Sequence, residues 1–106
     1  MANALEDVLD TYTALLSQYE TVSAKCTGEQ KQVLNGQVTE AEANYEKALN
    51  QILSDNDAQV AAVSKQLKAA NAGIKNAADQ LNNIQKVIGY VTSAVNYGSQ
   101  LLSMVK

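Results

Sequence analysis

The stretch VIGYVTSAVNYGSQLLSMV, residues 87–105, contains nineteen consecutive positions without a charged side chain. Its length is close to that of a bilayer-spanning helix, but Ser, Thr, Asn and Gln interrupt it and fall mostly on one side of a helix. The segment is therefore amphipathic with an uncharged polar face, and it lacks the lysine-rich face that is typical of interfacial helices. This pattern indicates a helix that packs on more than one neighbour.

Outward from this stretch, apolar or small residues recur in alternating steps of three and four throughout the second half of the chain. This seam consists of Val60, Val63, Leu67, Ala70, Ile74, Ala77, Leu81, Ile84, Ile88, Val91, Val95, Gly98, Leu102 and Val105. Such spacing keeps one face of a helix apolar, so it predicts a single helix of coiled-coil type, roughly 70 Å long at about 1.5 Å per residue. Further apolar residues widen this face at Val87, Tyr90, Ala94, Tyr97, Leu101 and Met104.

The first half of the chain begins with the same seam and then loses its phase. The alternation holds at Leu5, Val8, Tyr12, Leu15, Tyr19, Val22 and Cys26, and it resumes at Leu34, Val38, Ala41, Tyr45, Ala48 and Ile52. A change of phase marks either a stutter or a break. TGEQ at 27–30 and TEAE at 39–42 both have the capping-box form, so we expect a kink or a break within 27–39.

A polar hinge, SDND at 54–57, separates the two halves, and Ser, Asp and Asn favour turns and helix N-caps. Either Asp55 or Asp57 is expected to cap the second arm. Residues 1–53 carry eight carboxylates and three Lys, a net charge of −5, whereas residues 58–106 carry five Lys and one Asp, a net charge of +4. Arms of opposite sign attract each other, which favours an antiparallel hairpin.

The predicted fold is an all-α single domain over residues 1–106, with arms at about 3–53 and 58–105. Two such hairpins pair into a four-helix bundle, and a compact monomeric bundle of three or four helices is the alternative. Closing the hairpin places 87–105 beside 6–24, with Gly98 leaving room for the ring of Tyr12. The predicted interaction surface comprises Leu9, Tyr12, Leu16, Tyr19, Val87, Val91, Ala94, Gly98, Leu101, Leu102 and Val105.

The composition excludes most catalytic chemistry. The chain contains no His, so neither a Ser–His nor a Cys–His nucleophile can form. Cys26 is the only cysteine and is expected to be a buried apolar residue, while Glu42 and Glu46 without His indicate a solvated acidic face rather than a metal site. We therefore expect a protein that is not an enzyme and has no cofactor or metal.

The remaining sequence features concern partners and location. The chain has no Arg and a net charge of −3, which argues against nucleic-acid binding. The segment MANALEDVLD lacks the features of a signal peptide, so the expected location is cytoplasmic, with export without a cleaved leader left open.

These features predict an interaction module that acts by helix packing, either as a homo-oligomer, with a dimer favoured, or with a helical protein partner. In length and hairpin plan the chain resembles the WXG100 family of secreted proteins, although no Trp-x-Gly occurs at 54–57. It is similar at the same level to small helical components and chaperones of type III secretion. The resemblance concerns architecture only and implies a secretion-associated or chaperone-like role. The alternative is a membrane-active protein whose segment 87–105 inserts after a trigger.

Overall fold

Four α-helices account for most of the chain in the computed structural model, which describes residues 3–54 and 56–105. The elements are α1 (Glu6–Ser23), α2 (Gly28–Ala48), α3 (Ala58–Lys75), a 3₁₀ segment (Ala77–Asn83) and α4 (Ile84–Ser103). They pack into a bundle of 40 × 22 × 18 Å. The all-α class is thus confirmed, and within one chain the architecture is the compact bundle rather than the extended hairpin.

The first arm is broken, at the N-terminal edge of the predicted interval. Helix α1 ends at Ser23, and α2 begins after Thr27, whose side chain completes a capping box. The hydroxyl of Thr27 accepts a hydrogen bond from the Gln30 amide at 3.2 Å, and the Gln30 side chain accepts one from the Thr27 amide at 2.9 Å. The second predicted capping box, at 39–42, is wrong because it lies inside α2, where Thr39 donates to the Asn35 carbonyl instead.

The second arm is not the single long helix that its seam predicts. Helix α3 ends at Lys75, the backbone of Gln80 leaves the helical region (φ −128°, ψ 22°), and the Asn83 side chain caps α4 by accepting from the Lys86 amide. Asn side chains compete with helical hydrogen bonds and favour caps. Because Ala77 stays buried across the turn, the apolar spacing continues through the break and conceals it.

The chain reverses at the predicted hinge. Asp57 caps α3 as expected, since its carboxylate accepts hydrogen bonds from the amides of Gln59 at 2.8 Å and Val60 at 3.3 Å. Asp55, the other candidate, lies outside the described residues. The connection between α2 and α3 crosses one end of the bundle, where α1 begins and α4 finishes.

Helices α2 and α3 each pack against two helices, whereas α1 and α4 also contact each other across the centre of the bundle. Helices α1 and α4 occupy opposite corners and share the neighbours α2 and α3. Polar pairs show that α2 and α4 run parallel in register: Gln30 with Gln85, Gln37 with Thr92, and Asn44 with Ser99, each pair 55 positions apart.

The other parallel pair, α1 with α3, is also joined by polar groups. Asn71 is buried, accepts from the Thr11 hydroxyl at 2.6 Å and donates to the Asp7 carbonyl at 3.0 Å. The Asp10 carboxylate lies 2.7 Å from Lys75 Nζ, which agrees with the predicted attraction between the acidic and basic halves. These polar contacts are specific to one register, so they help to select which helices lie parallel.

Candidate interaction surfaces

Five of the residues predicted to form an interaction surface lie in the core of the single chain. They are Val87, Val91, Ala94, Gly98 and Leu101. The prediction is corrected here because the broad apolar face of α4 is covered by the other three helices, so no second chain is needed to cover it. Gly98 also differs from its prediction, since it faces Val8 and Asn44 rather than Tyr12.

Four other predicted residues form a stripe on the side of α1 that faces α2. They are Leu9, Tyr12, Leu16 and Tyr19. Together with Val38 and Tyr45 of α2 they make up what we term the α1–α2 groove. Leu16 is 50% exposed, and a cleft of about 470 Å³ lies beside it, lined also by Tyr19 and Val38.

Tyrosine side chains give this groove a defined shape. The rings of Tyr12 and Tyr45 lie 5.0 Å apart between centroids and are tilted by 52°. The Tyr12 hydroxyl donates to the Glu42 carboxylate at 3.3 Å, and the Tyr19 hydroxyl donates to the Asn35 side chain. Partial burial of the ring, followed by the negative charge of Glu42, raises the pKa of Tyr12 above its usual value. The Tyr12 phenol therefore stays neutral at physiological pH and keeps its hydrogen bond to Glu42.

The helices on either side of the groove are acidic. Helices α1 and α2 each contribute four carboxylates, against the two cations Lys31 and Lys47. Glu20 lines the cleft, and Glu42 and Glu46 lie close enough to Tyr12 to affect its pKa. The groove is thus an apolar strip with a negatively charged border.

A second apolar surface lies at the end of the bundle where the α2–α3 connection crosses. This end patch consists of Leu49, Ile52, Leu53, Leu102, Met104 and Val105, of which Leu102 and Val105 belong to the predicted surface. Ile52 is the most exposed, at 82%. Its position overturns the prediction that it continues the apolar seam, because α2 ends at Ala48 and the chain leaves the helix before Ile52.

Hydrogen bonds to Asn3 hold this connection in place. The Asn3 side-chain oxygen accepts from the amides of Leu5 at 3.1 Å and Leu53 at 3.0 Å, while its amide group donates to the Gln51 carbonyl at 3.3 Å. The Ala4 amide also donates to the Leu53 carbonyl at 2.9 Å. The sequence reasoning missed both Asn3 and Ile52, because their roles depend on a contact between positions about fifty residues apart.

Two clefts flank the last turn of α4 in the end patch. One, of about 540 Å³, is lined by Ile52, Leu53, Ser54, Asp57, Gln59, Val60, Ser103 and Met104. The other, of about 340 Å³, is lined by Lys47, Gln51, Leu102 and Val105. The smaller cleft, with Leu102 and Val105 as apolar walls and Lys47 at its edge, is suited to binding an aliphatic side chain.

Groups with potential chemical reactivity are few in the described residues. No cluster of three or more His, Cys, Asp or Glu in 3–54 and 56–105 is placed to hold a metal ion. Cys26 is half-buried rather than fully buried, with its sulfur 3.3 Å from the Val22 carbonyl oxygen. Burial raises the pKa of its thiol, with only partial opposition from Lys31, so the thiol is less reactive than an exposed one.

Comparison with known proteins gives no relative: no family model matches the chain, and neither a curated protein nor a solved structure is significantly similar to it. Among the described helices, none combines the length and the apolar character needed to cross a bilayer. Any assignment of function must therefore come from the surfaces themselves.

Proposed function

We propose that this protein is a non-enzymatic interaction module that binds an amphipathic, basic helix of a partner protein in the α1–α2 groove. The observation that carries the proposal is the partly buried apolar strip between two acidic helices, with Leu16 half exposed beside an open cleft. Such a role is that of a small chaperone or adaptor, which holds one helix of a partner against its own bundle.

The dimensions of the groove suit a helix. From Leu9 to Tyr19 the stripe rises by about 15 Å, which is roughly three helical turns. A partner helix with apolar residues at i, i+3 or i+4, and i+7 would place them along this stripe, as helix-in-groove complexes do. The tyrosine rings, two of which are held by hydrogen bonds from their hydroxyl groups, supply large apolar contacts at a low cost in conformational entropy.

The charges around the groove favour a basic partner. Glu20, Glu42 and Glu46 border it. Lys or Arg residues beside the apolar face of the partner would meet these carboxylates, which speeds association and discriminates against acidic helices. The binding should therefore weaken as the salt concentration rises.

The test uses two designed helical peptides that share a leucine face and carry either Lys or Glu on its flanks. Binding to the protein is measured by fluorescence anisotropy at low and high salt. The lysine peptide should bind more tightly, and Leu16→Gln should weaken it about tenfold, because roughly half of a leucine side chain loses its apolar contact.

Val33→Gln is the matched control. Val33 is 47% exposed, against 50% for Leu16, but it lies on the side of α2 that faces α4. It should leave the affinity unchanged. Equal binding of the two peptides, or equal losses in the two variants, would refute the proposal.

A further inference from the structure

We propose that the end patch is a self-association surface, on which Ile52 of one copy inserts into the cleft lined by Leu102 and Val105 of a second copy. This inference concerns a different surface from the α1–α2 groove and does not depend on helix binding there.

The first argument is that the exposure of Ile52 is imposed by the structure. Its neighbours on both sides are held: Gln51 through its carbonyl, which accepts from the Asn3 side chain, and Leu53 through its amide and its carbonyl. Ile52 therefore projects from an anchored segment while 82% exposed. An apolar side chain presented in this way loses little conformational entropy on binding, which favours association.

The second argument is that Ile52 and a cleft able to receive its side chain lie at the same end of the molecule. The cleft of about 340 Å³ is bounded by Leu102, Val105, Lys47 and Gln51, the last being the residue directly before Ile52. A contact about a two-fold axis requires this arrangement, because each copy must present both parts of the contact at once. A foreign partner would need only one of the two.

The third argument is the placement of charge. Lys47 lines the cleft that would receive Ile52, and Asp57 lines the cleft on the other side of the last turn of α4. A two-fold axis that lies in the plane of the contact and passes between the two clefts brings opposite sides of the patch together, so that Lys47 of each copy approaches Asp57 of the other. The patch is therefore complementary to itself in charge as well as in shape.

The area of this end of the bundle limits how tightly two copies can bind each other. The bundle has a cross-section of 22 by 18 Å, or about 400 Å² for each copy. Two copies would bury about 800 Å² in total, which is less than the roughly 1,200–2,000 Å² of a stable complex. The dimer is therefore weak and forms at high protein concentration, with a dissociation constant on the order of 100 µM.

The first measurement is sedimentation equilibrium of the intact chain from about 20 µM to about 1 mM, a range that brackets the expected dissociation constant. Ile52→Gln should raise the dissociation constant at least tenfold, and Lys47→Glu should also raise it by bringing two carboxylates together. Val33→Gln, which changes an exposed apolar residue elsewhere, should leave it unchanged. A monomer throughout the range, or a dimer insensitive to Ile52→Gln, overturns the proposal.

Crosslinking tests the geometry. In a Cys26→Ser background, an Ile52→Cys protein is mixed with a Leu102→Cys protein and oxidised. The expected product is a covalent heterodimer, in excess over that from Ile52→Cys mixed with Val33→Cys. Equal yields from the two mixtures would exclude this contact. If the protein binds the peptide but does not dimerise, only the proposal of self-association fails. If it dimerises but does not bind the peptide, only the proposal of helix binding fails.

Discussion

Gly73 of α3 packs directly against the ring of Tyr90 on α4, which leaves no room for a methyl group at Gly73. A Cβ atom built on Gly73 would lie 2.5 Å from Cγ of Tyr90 and 2.6 and 2.7 Å from its two Cδ atoms. At Gly36 on α2, no atom of the described residues lies within 4 Å of the corresponding Cβ position. The same substitution, Gly→Ala, therefore tests a closed site and an open one in the same fold.

The two substitutions should have opposite effects on the free energy of unfolding. In the open helical site, Ala stabilises by up to about 1 kcal/mol because it restricts the unfolded chain and favours helix. At Gly73 this gain is opposed by overpacking, which costs about 1–3 kcal/mol. The contact is with the base of the Tyr90 ring, so rotation of the ring alone cannot relieve it. The whole Tyr90 side chain of α4 must move away from α3. Subtracting a gain of about 1 kcal/mol from this cost, we expect Gly73→Ala to destabilise by up to about 2 kcal/mol.

Urea denaturation followed by circular dichroism measures both changes. A second comparison is made in a Tyr90→Ala background, where the obstructing ring is absent and Gly73→Ala should become neutral or stabilising. The double-mutant cycle thus isolates the contact from the helix propensity of the new residue. If Gly73→Ala stabilises the protein as much as Gly36→Ala does, the packing of α3 against α4 described above is refuted.

Two further predictions concern the polar groups of the bundle. Asn71→Leu should destabilise by about 1–3 kcal/mol in thermal or urea unfolding, since it removes both hydrogen bonds that Asn71 makes to α1 and leaves the Thr11 hydroxyl only the Asp7 carbonyl of its own helix, 3.0 Å away. A neutral outcome would show that the Asn71 contacts contribute nothing. For Tyr12, the raised pKa means that the folded protein keeps the phenolic proton to a higher pH than the unfolded chain does. Stability should therefore fall as the pH rises from about 10 through the folded pKa. Tyr12→Phe should reduce that fall, and absorbance at 295 nm reports the ionisation. An unchanged pH profile would contradict the raised pKa of Tyr12.

Polar and apolar contacts contribute differently to this bundle: apolar contacts hold it together, and polar contacts select the arrangement of its helices. The parallel pairs are joined by side chains such as Asn71 and Asn44, which are buried and hydrogen-bonded across the helices. The apolar seam holds the bundle together but would tolerate other arrangements, because hydrophobic contact is not directional. A buried amide is satisfied in only one register, so it disfavours the alternatives.

Much of the secondary structure could be predicted from sequence because its determinants are local. Thr27 with Gln30 and the carboxylate of Asp57 act on amides two or three residues away, so their capping roles can be read directly from the chain. The apolar spacing also identified the inward face correctly, and Val91, for example, is fully buried. The imbalance of charge between the halves reappears as the Lys75–Asp10 ion pair.

The tertiary structure alone decided which of the compatible arrangements these helices adopt. A seam of constant spacing fits one long helix as well as two helices folded on each other, and the turn at Gln80 becomes favourable only when α4 can bury its broad face against three neighbours. For the same reason Val87 lies in the core of one chain instead of on a shared surface. Ile52 projects from the end patch because Asn3, distant in sequence, holds the adjoining backbone. Local hydrogen bonds can be inferred from neighbouring residues, whereas burial and exposure depend on the sum of contacts that only the folded chain brings together.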